Sequence, residues 1–221
     1  MFDHTHYVPI LRWKAGEMWA LAKMAPEQSA RLTPLIELVP ETFAQTKVKK
    51  KLSPDEVVRR VVEQIYEHWG HDSIFVDLCH IDEQLYRASQ GTHLVLALAR
   101  DAALYQLAIV PVIGFDCSRD YQLAIKQICT NSRRGACLRL THEDFEKRNL
   151  ANQLLHLVDS LNLNLHEVDL LVDNQYIGNS IPNIAQCCGA LPSLDRWRTF
   201  TWAAGAFSIK PSTSSKANWH H

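Results

Sequence analysis

The sequence predicts an α/β protein built from a repeated strand–helix unit, of the kind that closes into a TIM-barrel-like (β/α) barrel. Short segments rich in Val, Ile and Leu alternate along the chain with segments of helical apolar periodicity. The short segments are apolar along their whole length, as in strands that are buried on both faces of a parallel sheet. Successive strands begin about 25 to 40 residues apart, which suits right-handed βαβ units.

The first half of the chain holds three strands and two helices. The predicted strands cover 7–13, 32–39 and 73–78, and the predicted helices between them cover 17–30 and 53–70. The second helix is the better defined, because Ser53, Pro54 and Glu56 form a capping-box start. Its apolar positions recur at helical spacing, and Gly70 is a natural stop.

The second half repeats the unit four more times. The predicted strands cover 107–115, 136–140, 168–173 and 198–207, and the predicted helices cover 92–106, 119–131, 141–162 and 181–191. The helix over 141–162 is given Thr141 as its N-cap, with Asp144 three residues on.

Two arrangements of about seven parallel strands compete. The first is a barrel that is truncated, or incompletely closed, at its C-terminal end, because the last unit is incomplete. The alternative is an open doubly wound parallel sheet. Neither GxGxxG nor GxxxxGK[ST] follows the first strand, which excludes the nucleotide-binding subclasses of the open form. The barrel is favoured, with one domain over residues 1–207 and a polar tail over 208–221 that is expected to be disordered.

Composition and charge limit the partners. The chain has 221 residues, 47% of them hydrophobic, and a formal net charge of −1, which does not favour nucleic acid as a partner. The most apolar stretch, 93–115, carries Arg100 and Asp101 at its centre, so no membrane span is predicted. No secretory signal is visible, and the six cysteines are read as reduced thiols of a cytoplasmic protein.

Charged residues gather where the predicted strands end. In a parallel α/β barrel these ends share one face, which holds the active site in barrel enzymes. Carboxylates there could act as acid and base or bind a divalent metal, and cations could hold an anion. The candidate site residues are Arg12, Lys14, Glu17, Glu37, Asp77, Asp116, Arg139 and Asp173.

Each candidate also has a plainer interpretation. Strand ends often carry Asp only to satisfy a turn or cap the next helix, and the surroundings of Asp77 and Asp173 suit that role. Glu37 is the sharpest candidate, because it interrupts the apolar run "PLIELV", where a capping residue has no purpose. Cys79 with His80 and Asp82, and the pair Cys187 and Cys188, lack metal-ligand spacing, so no metal site is assigned and the cofactor stays unknown.

The first 80 residues carry a family resemblance. The pattern "PxLRxKxGExxAL", then "PLIE" and "FVDL", resembles the Beta protein family of phages and prophages. The matching positions are Pro9, Leu11, Arg12, Lys14, Gly16, Glu17, Ala20, Leu21, Pro34, Leu35, Ile36, Glu37, Val76 and Asp77.

The resemblance implies a role in a phage gene cluster. It implies an accessory protein that modulates, and most simply restrains, a neighbouring host-killing protein such as Gop, in a cluster linked to the exclusion of other phages. It assigns no catalytic residues. The alternative from the residues themselves is a barrel enzyme that uses the strand-end charges, for example a metal-assisted hydrolase acting on a phosphorylated or nucleotide-like substrate.

Overall fold

A computed structural model of the chain describes residues 3–40, 52–79, 81, 87–88, 91–176 and 184–205. Seven parallel strands form one sheet in it. Their bounds are β1 Ile10–Arg12, β2 Leu35–Glu37, β3 Ile74–Asp77, β4 Ile109–Ile113, β5 Ala136–Thr141, β6 Val168–Tyr176 and β7 Thr199–Gly205.

Helices connect the strands. The α-helices are α1 Ala15–Ala22, α2 Pro26–Ser29, α3 Pro54–His68, α4 Leu94–Leu104, α5 Arg119–Ser132, α6 Leu150–Ser160 and α7 Ile184–Gly189. Short 3₁₀ turns lie at His142–Glu146, Leu165–Glu167 and Leu194–Arg196. None of the helices in these ranges is both long and apolar enough to cross a membrane.

The strand order decides between the two predicted arrangements. The strands lie side by side in chain order, from β1 to β7. A doubly wound sheet instead reverses direction part of the way through the chain. The barrel-type prediction is therefore confirmed, and the open doubly wound alternative is wrong.

The sheet is curved, so that apolar side chains of different strands pack against one another on its inner face. Successive residues of a strand point to opposite faces of the sheet, so the apolar residues of the strands form two clusters, one on each face. The inner cluster consists of Val8, Leu35, Phe75, Val110, Val112, Cys137 and Leu171. The alternate positions, such as Ile36, Val76, Leu138 and Leu170, join the helices in a larger outer cluster.

The curl stops short of a closed barrel among the described residues. β1 pairs only with β2, and β7 pairs only with β6. The described strands therefore form a curled half-barrel whose two edges are β1 and β7. The expected domain over 1–207 stays a prediction, and the expected polar tail over 208–221 lies outside the described residues.

The start and the end of α3 were predicted correctly from the residues at its two ends. In α3 the Ser53 hydroxyl accepts a hydrogen bond from the Glu56 amide at 3.3 Å, and the Glu56 carboxylate accepts one from the Ser53 amide at 2.7 Å. The apolar residues that recur at helical spacing in this helix are all buried, and they are Val57, Val58, Val61, Val62 and Ile65. Gly70, with φ of +83°, ends the helix as predicted.

Two predicted helices are broken. The helix over 17–30 is two helices, because Pro26 starts α2 and cannot continue α1. The helix over 141–162 begins instead as a 3₁₀ turn, with Asp144 accepting from the Thr141 amide at 2.8 Å. Asn149, with φ of +57°, interrupts the chain before α6.

Candidate functional site

The alternation that builds the apolar interior also sets a row of charges at the carboxyl ends of the strands. Arg12, Glu37 and Asp77 are in register on β1, β2 and β3. Each lies two residues after an inward-facing apolar residue, namely Ile10, Leu35 and Phe75. The three side chains therefore point into the opening of the half-barrel at the carboxyl ends of its strands. We call this opening the mouth.

Arg139 lies at the centre of this mouth. It extends from β5, and its guanidinium contacts three carboxylates that come from three other strands. Its nitrogens lie 2.8 Å from Glu37 Oε1, 2.7 Å from Asp77 Oδ2 and 2.6 Å from Asp173 Oδ2. We call Arg139 with these three carboxylates the arginine cluster. Arg12 lies farther out, 3.8 Å from Glu37 and with 58% of its side chain exposed.

Each of the two aspartates in the cluster accepts a backbone hydrogen bond with one carboxylate oxygen and contacts Arg139 with the other. The Oδ1 atom of Asp77 accepts a hydrogen bond from the Cys79 amide at 2.8 Å, and Oδ1 of Asp173 accepts one from the Gln175 amide at 2.8 Å. In both residues the other oxygen, Oδ2, binds Arg139. Asp77 thus satisfies the turn after β3, Asp173 satisfies the irregular backbone near the end of β6, and both bind the side chain of Arg139 on β5.

Electrostatics keep the centre of the cluster charged. Burial disfavours the charged guanidinium of Arg139. The carboxylates of Asp77 and Asp173, and then that of Glu37, outweigh this effect and raise the pKa of Arg139 above its ordinary value. The cluster therefore carries one fixed positive charge among three carboxylates.

The mouth opens into a cavity of about 770 Å³ above the cluster. Glu37, Asp77, Asp116 and Asp144 line it with carboxylates, whereas Arg12 and Arg139 are its two lining cations. Asp116 is exposed at the rim. Asp144 is buried and also contacts Lys147 at 3.1 Å. Among the described residues of the lining there are thus four carboxylates and two guanidinium groups, so this part of the lining is net negative.

The structure brings together six of the eight predicted site residues. Five of them line the cavity and Asp173 binds Arg139 beside it, whereas Lys14 and Glu17 do neither. Lys14 is the N-cap residue of α1, and Glu17 lies in the first turn of that helix, where a negative charge favours the helix dipole.

Among the lining residues of the mouth that were not predicted as site residues, four bear on its chemistry. Cys79, Cys117 and Gln175 line the cavity, and Asp144 was assigned only a capping role. Spacing gave no signal for the two cysteines, because Cys79 follows β3 and Cys117 follows β4, and only the sheet brings them together. Gln175 lies within a register shift of β6, between Asp173 and Tyr176, and has φ of +51°, for which the sequence shows no pattern.

The geometry does not point to a metal centre. Three of the four strand-end carboxylates that the sequence offered as ligands, Glu37, Asp77 and Asp173, are engaged by the guanidinium of Arg139. Within the described ranges, no group of three or more His, Cys, Asp or Glu side chains is arranged to hold a metal ion.

A second ion pair lies at the amino-terminal ends of the strands. Arg198 reaches both oxygens of Asp169, at 3.0 and 2.5 Å, and also donates to the Arg134 carbonyl at 2.6 Å. Thr199 donates to the same carboxylate at 2.8 Å. This cluster ties β6 to β7 and to the loop before β5, so it is a structural element of the amino-terminal end.

A further cavity of about 320 Å³ lies between the sheet and the helices. It is lined mainly by aliphatic side chains of β3, β4, α4 and α5, such as Val76, Leu98 and Ile128. It has no cluster of charges comparable with that of the mouth. The mouth is therefore the candidate functional site.

Fold and site together define a class, a parallel α/β half-barrel with an arginine–carboxylate cluster at the carboxyl ends of its strands. The chain belongs to the Beta protein family of phages, whose model matches residues 7–220. This confirms the resemblance, which runs through most of the chain and has its specific motifs in the first 80 residues.

The similarity of the chain to other known proteins is low. No curated protein matches the chain. Among solved structures, the crystal structure of N-terminally His-tagged D-allulose 3-epimerase from Methylomonas sp., in complex with D-allulose, is similar, with 16% sequence identity and a TM-score of 0.43. The match covers 80% of this chain and 64% of the epimerase chain, so this chain spans slightly less than two thirds of that protein.

Proposed function

We propose that this chain is a phage or prophage accessory protein that restrains a neighbouring host-killing protein by binding it in the cytoplasm of the host cell. The observation that carries the proposal is membership of the Beta protein family over residues 7–220. The resemblance in the first 80 residues implies this role. The arginine cluster supports a binding role, because its charged groups already bind one another and hold four strands in place.

The surface that we assign to the partner is the gap between the two edges of the half-barrel. β1 and β7 each have an edge that no described strand pairs. One cavity of about 590 Å³ is lined by residues from both edges, which therefore face each other across it. We call this gap the seam, and its lining residues are Asp3, His4, His6, Tyr7, Val8, Ile10, Asp173, Gln175 and 200–205.

An extended segment of the killer protein is the occupant that fits the seam. An exposed strand edge pairs with an added strand through main-chain hydrogen bonds. Tyr7 has 64% of its surface exposed, and Phe200 and Trp202 are half-buried, so the seam offers aromatic side chains to such a segment. Among the described residues its lining contains Asp3 and neither Lys nor Arg, which favours a segment that is neutral or basic.

Coexpression with the killer protein of the same phage cluster tests the proposal. We expect the wild-type chain to copurify with the killer protein and to restore growth of the host cells. Tyr7→Asp should weaken both effects, because it places a charge on an exposed aromatic residue of the seam. Trp19→Asp is the matched control, since Trp19 is an aromatic residue of α1 with 65% exposure outside the seam.

Other results would contradict the proposal. If no complex forms and killing is unchanged, the restraining role is wrong. If Tyr7→Asp and Trp19→Asp behave alike, the seam is not the contact surface. If the purified chain is a dimer that Tyr7→Asp converts to a monomer, the seam is an interface between copies and not a site for the killer protein.

A second candidate function is an enzyme that uses the mouth, and the convergence of charges from four strands around one cavity favours it. A phosphorylated or nucleotide-like substrate stays the prediction from the sequence, whereas the described part of the lining, with four carboxylates and two arginines, favours a cationic or neutral polar one. Glu37→Gln and Asp77→Asn keep the side-chain shapes and remove the charges. If chemistry at the mouth is required, these variants should still bind the killer protein but lose protection; full protection by both would exclude this candidate.

A further inference from the structure

Two thiols lie side by side at the mouth, next to the arginine cluster. Cys79 follows β3 by two residues and Cys117 follows β4 by four, and the two are 38 residues apart in the chain. β3 and β4 are neighbours in the sheet, so their carboxyl ends bring the two residues together. The Sγ atoms are 2.6 Å apart, and both residues are free thiols in this structure.

The backbone holds both cysteines in place. The Cys79 amide donates to Asp77 at 2.8 Å. The Gly114 amide donates to Cys117 Sγ at 3.3 Å, and the Cys117 amide donates to the Gly114 carbonyl at 3.4 Å. The two sulfurs thus meet through ordered strand ends, and no long flexible segment has to be ordered to bring them together.

The pair is also accessible from the solvent. Both cysteines line the mouth cavity, Cys79 is exposed and Cys117 is half-buried. In contrast, Cys129 and Cys137 are buried. Cys187 and Cys188 lie in α7, away from the lining of the mouth.

We propose that Cys79 and Cys117 are a redox modification site, at which a low-molecular-weight disulfide such as glutathione disulfide converts the two thiols into a reversible intramolecular disulfide. The exposed Cys79 attacks glutathione disulfide, loses its proton and forms a mixed disulfide while one glutathione leaves as the thiol. Cys117 then attacks the Cys79 sulfur and releases the second glutathione. The two protein sulfurs lose two electrons in total, glutathione disulfide gains them, and two protons move to the two glutathione thiols.

The disulfide would link the ends of β3 and β4 beside Asp77. The hydrogen bond with Cys117, burial and the charge of Asp77 all raise the pKa of the Cys79 thiol, so it is protonated at neutral pH. The exchange is therefore slow, because the attacking species is the thiolate. An equilibrium measurement suits the site better than a rate measurement.

Incubation of the purified full chain in glutathione buffers of increasing disulfide content tests the site. We expect the count of free thiols in the denatured chain to fall from six to four, and peptide mapping should place the bond between Cys79 and Cys117. Thermal unfolding should shift upward by roughly 10 °C on oxidation, because the bond closes a loop of 38 residues. Dithiothreitol should reverse both changes.

Variants separate this pair from the other thiols. Cys79→Ser and Cys117→Ser should each abolish the bond and the thermal shift, whereas Cys188→Ser should leave both unchanged. Retention of all six thiols at the highest disulfide content would overturn the proposal. So would a bond that maps to other cysteines, a disulfide between two chains, or glutathione that stays on Cys79 without release by Cys117.

Discussion

Removal of Arg139 should destabilise the protein far more than removal of a surface arginine. Arg139→Met keeps an apolar stem of similar length but leaves Glu37, Asp77 and Asp173 without their shared cation. The side chains of these three carboxylates are 12%, 2% and 7% exposed, and that of Arg139 is 14% exposed. Breaking a buried ion pair by removing one partner costs about 3 to 5 kcal/mol. For a chain of this size that lowers Tm by roughly 10 °C.

Arg87 provides the matched control. It forms an ion pair with Asp120 at 3.0 Å, but the two side chains are 36% and 64% exposed. Such a surface pair is worth at most about 1 kcal/mol, so Arg87→Met should lower Tm only slightly. Thermal unfolding followed by circular dichroism at pH 7 measures both variants.

A second measurement isolates the charge effect from the loss of packing. Adding Glu37→Gln, Asp77→Asn and Asp173→Asn to Arg139→Met should recover most of the lost stability, since no uncompensated charge remains and both asparagines keep the Oδ1 acceptor of the turn. If Arg139→Met costs no more than Arg87→Met, or if the added neutral residues do not restore stability, the account of the cluster is wrong.

Three further predictions concern stability, and chemical denaturation measures each. Gly135→Ala should cost more than about 2 kcal/mol, because φ is +69° and the new Cβ would overlap the Glu167 carbonyl oxygen; no loss would show that the loop shifts freely. Tyr121→Phe should cost about 1 kcal/mol, since the buried hydroxyl donates to the Val112 carbonyl at 2.9 Å, and an unchanged stability would mean that this bond has no net value. Burial raises the pKa of Cys129 from 9.0 to about 12. The neutral thiol therefore makes its full contribution to the free energy of unfolding below pH 9, and that contribution is lost as the pH rises toward 12. Between pH 9 and pH 11 the wild type should therefore lose up to about 1.4 kcal/mol per pH unit relative to Cys129→Ala, and parallel pH profiles would contradict this.

The strand–helix repeat and the location of the mouth could be predicted from the sequence, because both depend on local patterns. Fully apolar strands indicate a parallel sheet, and the carboxyl ends of parallel strands share one face. Glu37 was recognised because a carboxylate inside an apolar run is locally conspicuous, and the structure explains it through its contact with Arg139 at 2.8 Å.

The arrangement within the mouth could not be predicted, because it depends on distant parts of the chain. Arg139 and Asp77 are 62 residues apart, and only the curl of the sheet makes them neighbours. The same holds for Cys79 and Cys117. The helix breaks near Pro26 and Asn149 were missed for a different reason, since helical periodicity continued across both positions while the backbone did not.

Amide hydrogen exchange of the chain, with and without the killer protein, shows whether the chain restrains its partner by taking an extended segment of it into the seam. The account predicts new protection of the edge amides in β1 and β7, and no change over α5, which lies away from the seam. Protection confined to the helices, or a complex that stops killing without protecting either edge strand, would contradict it.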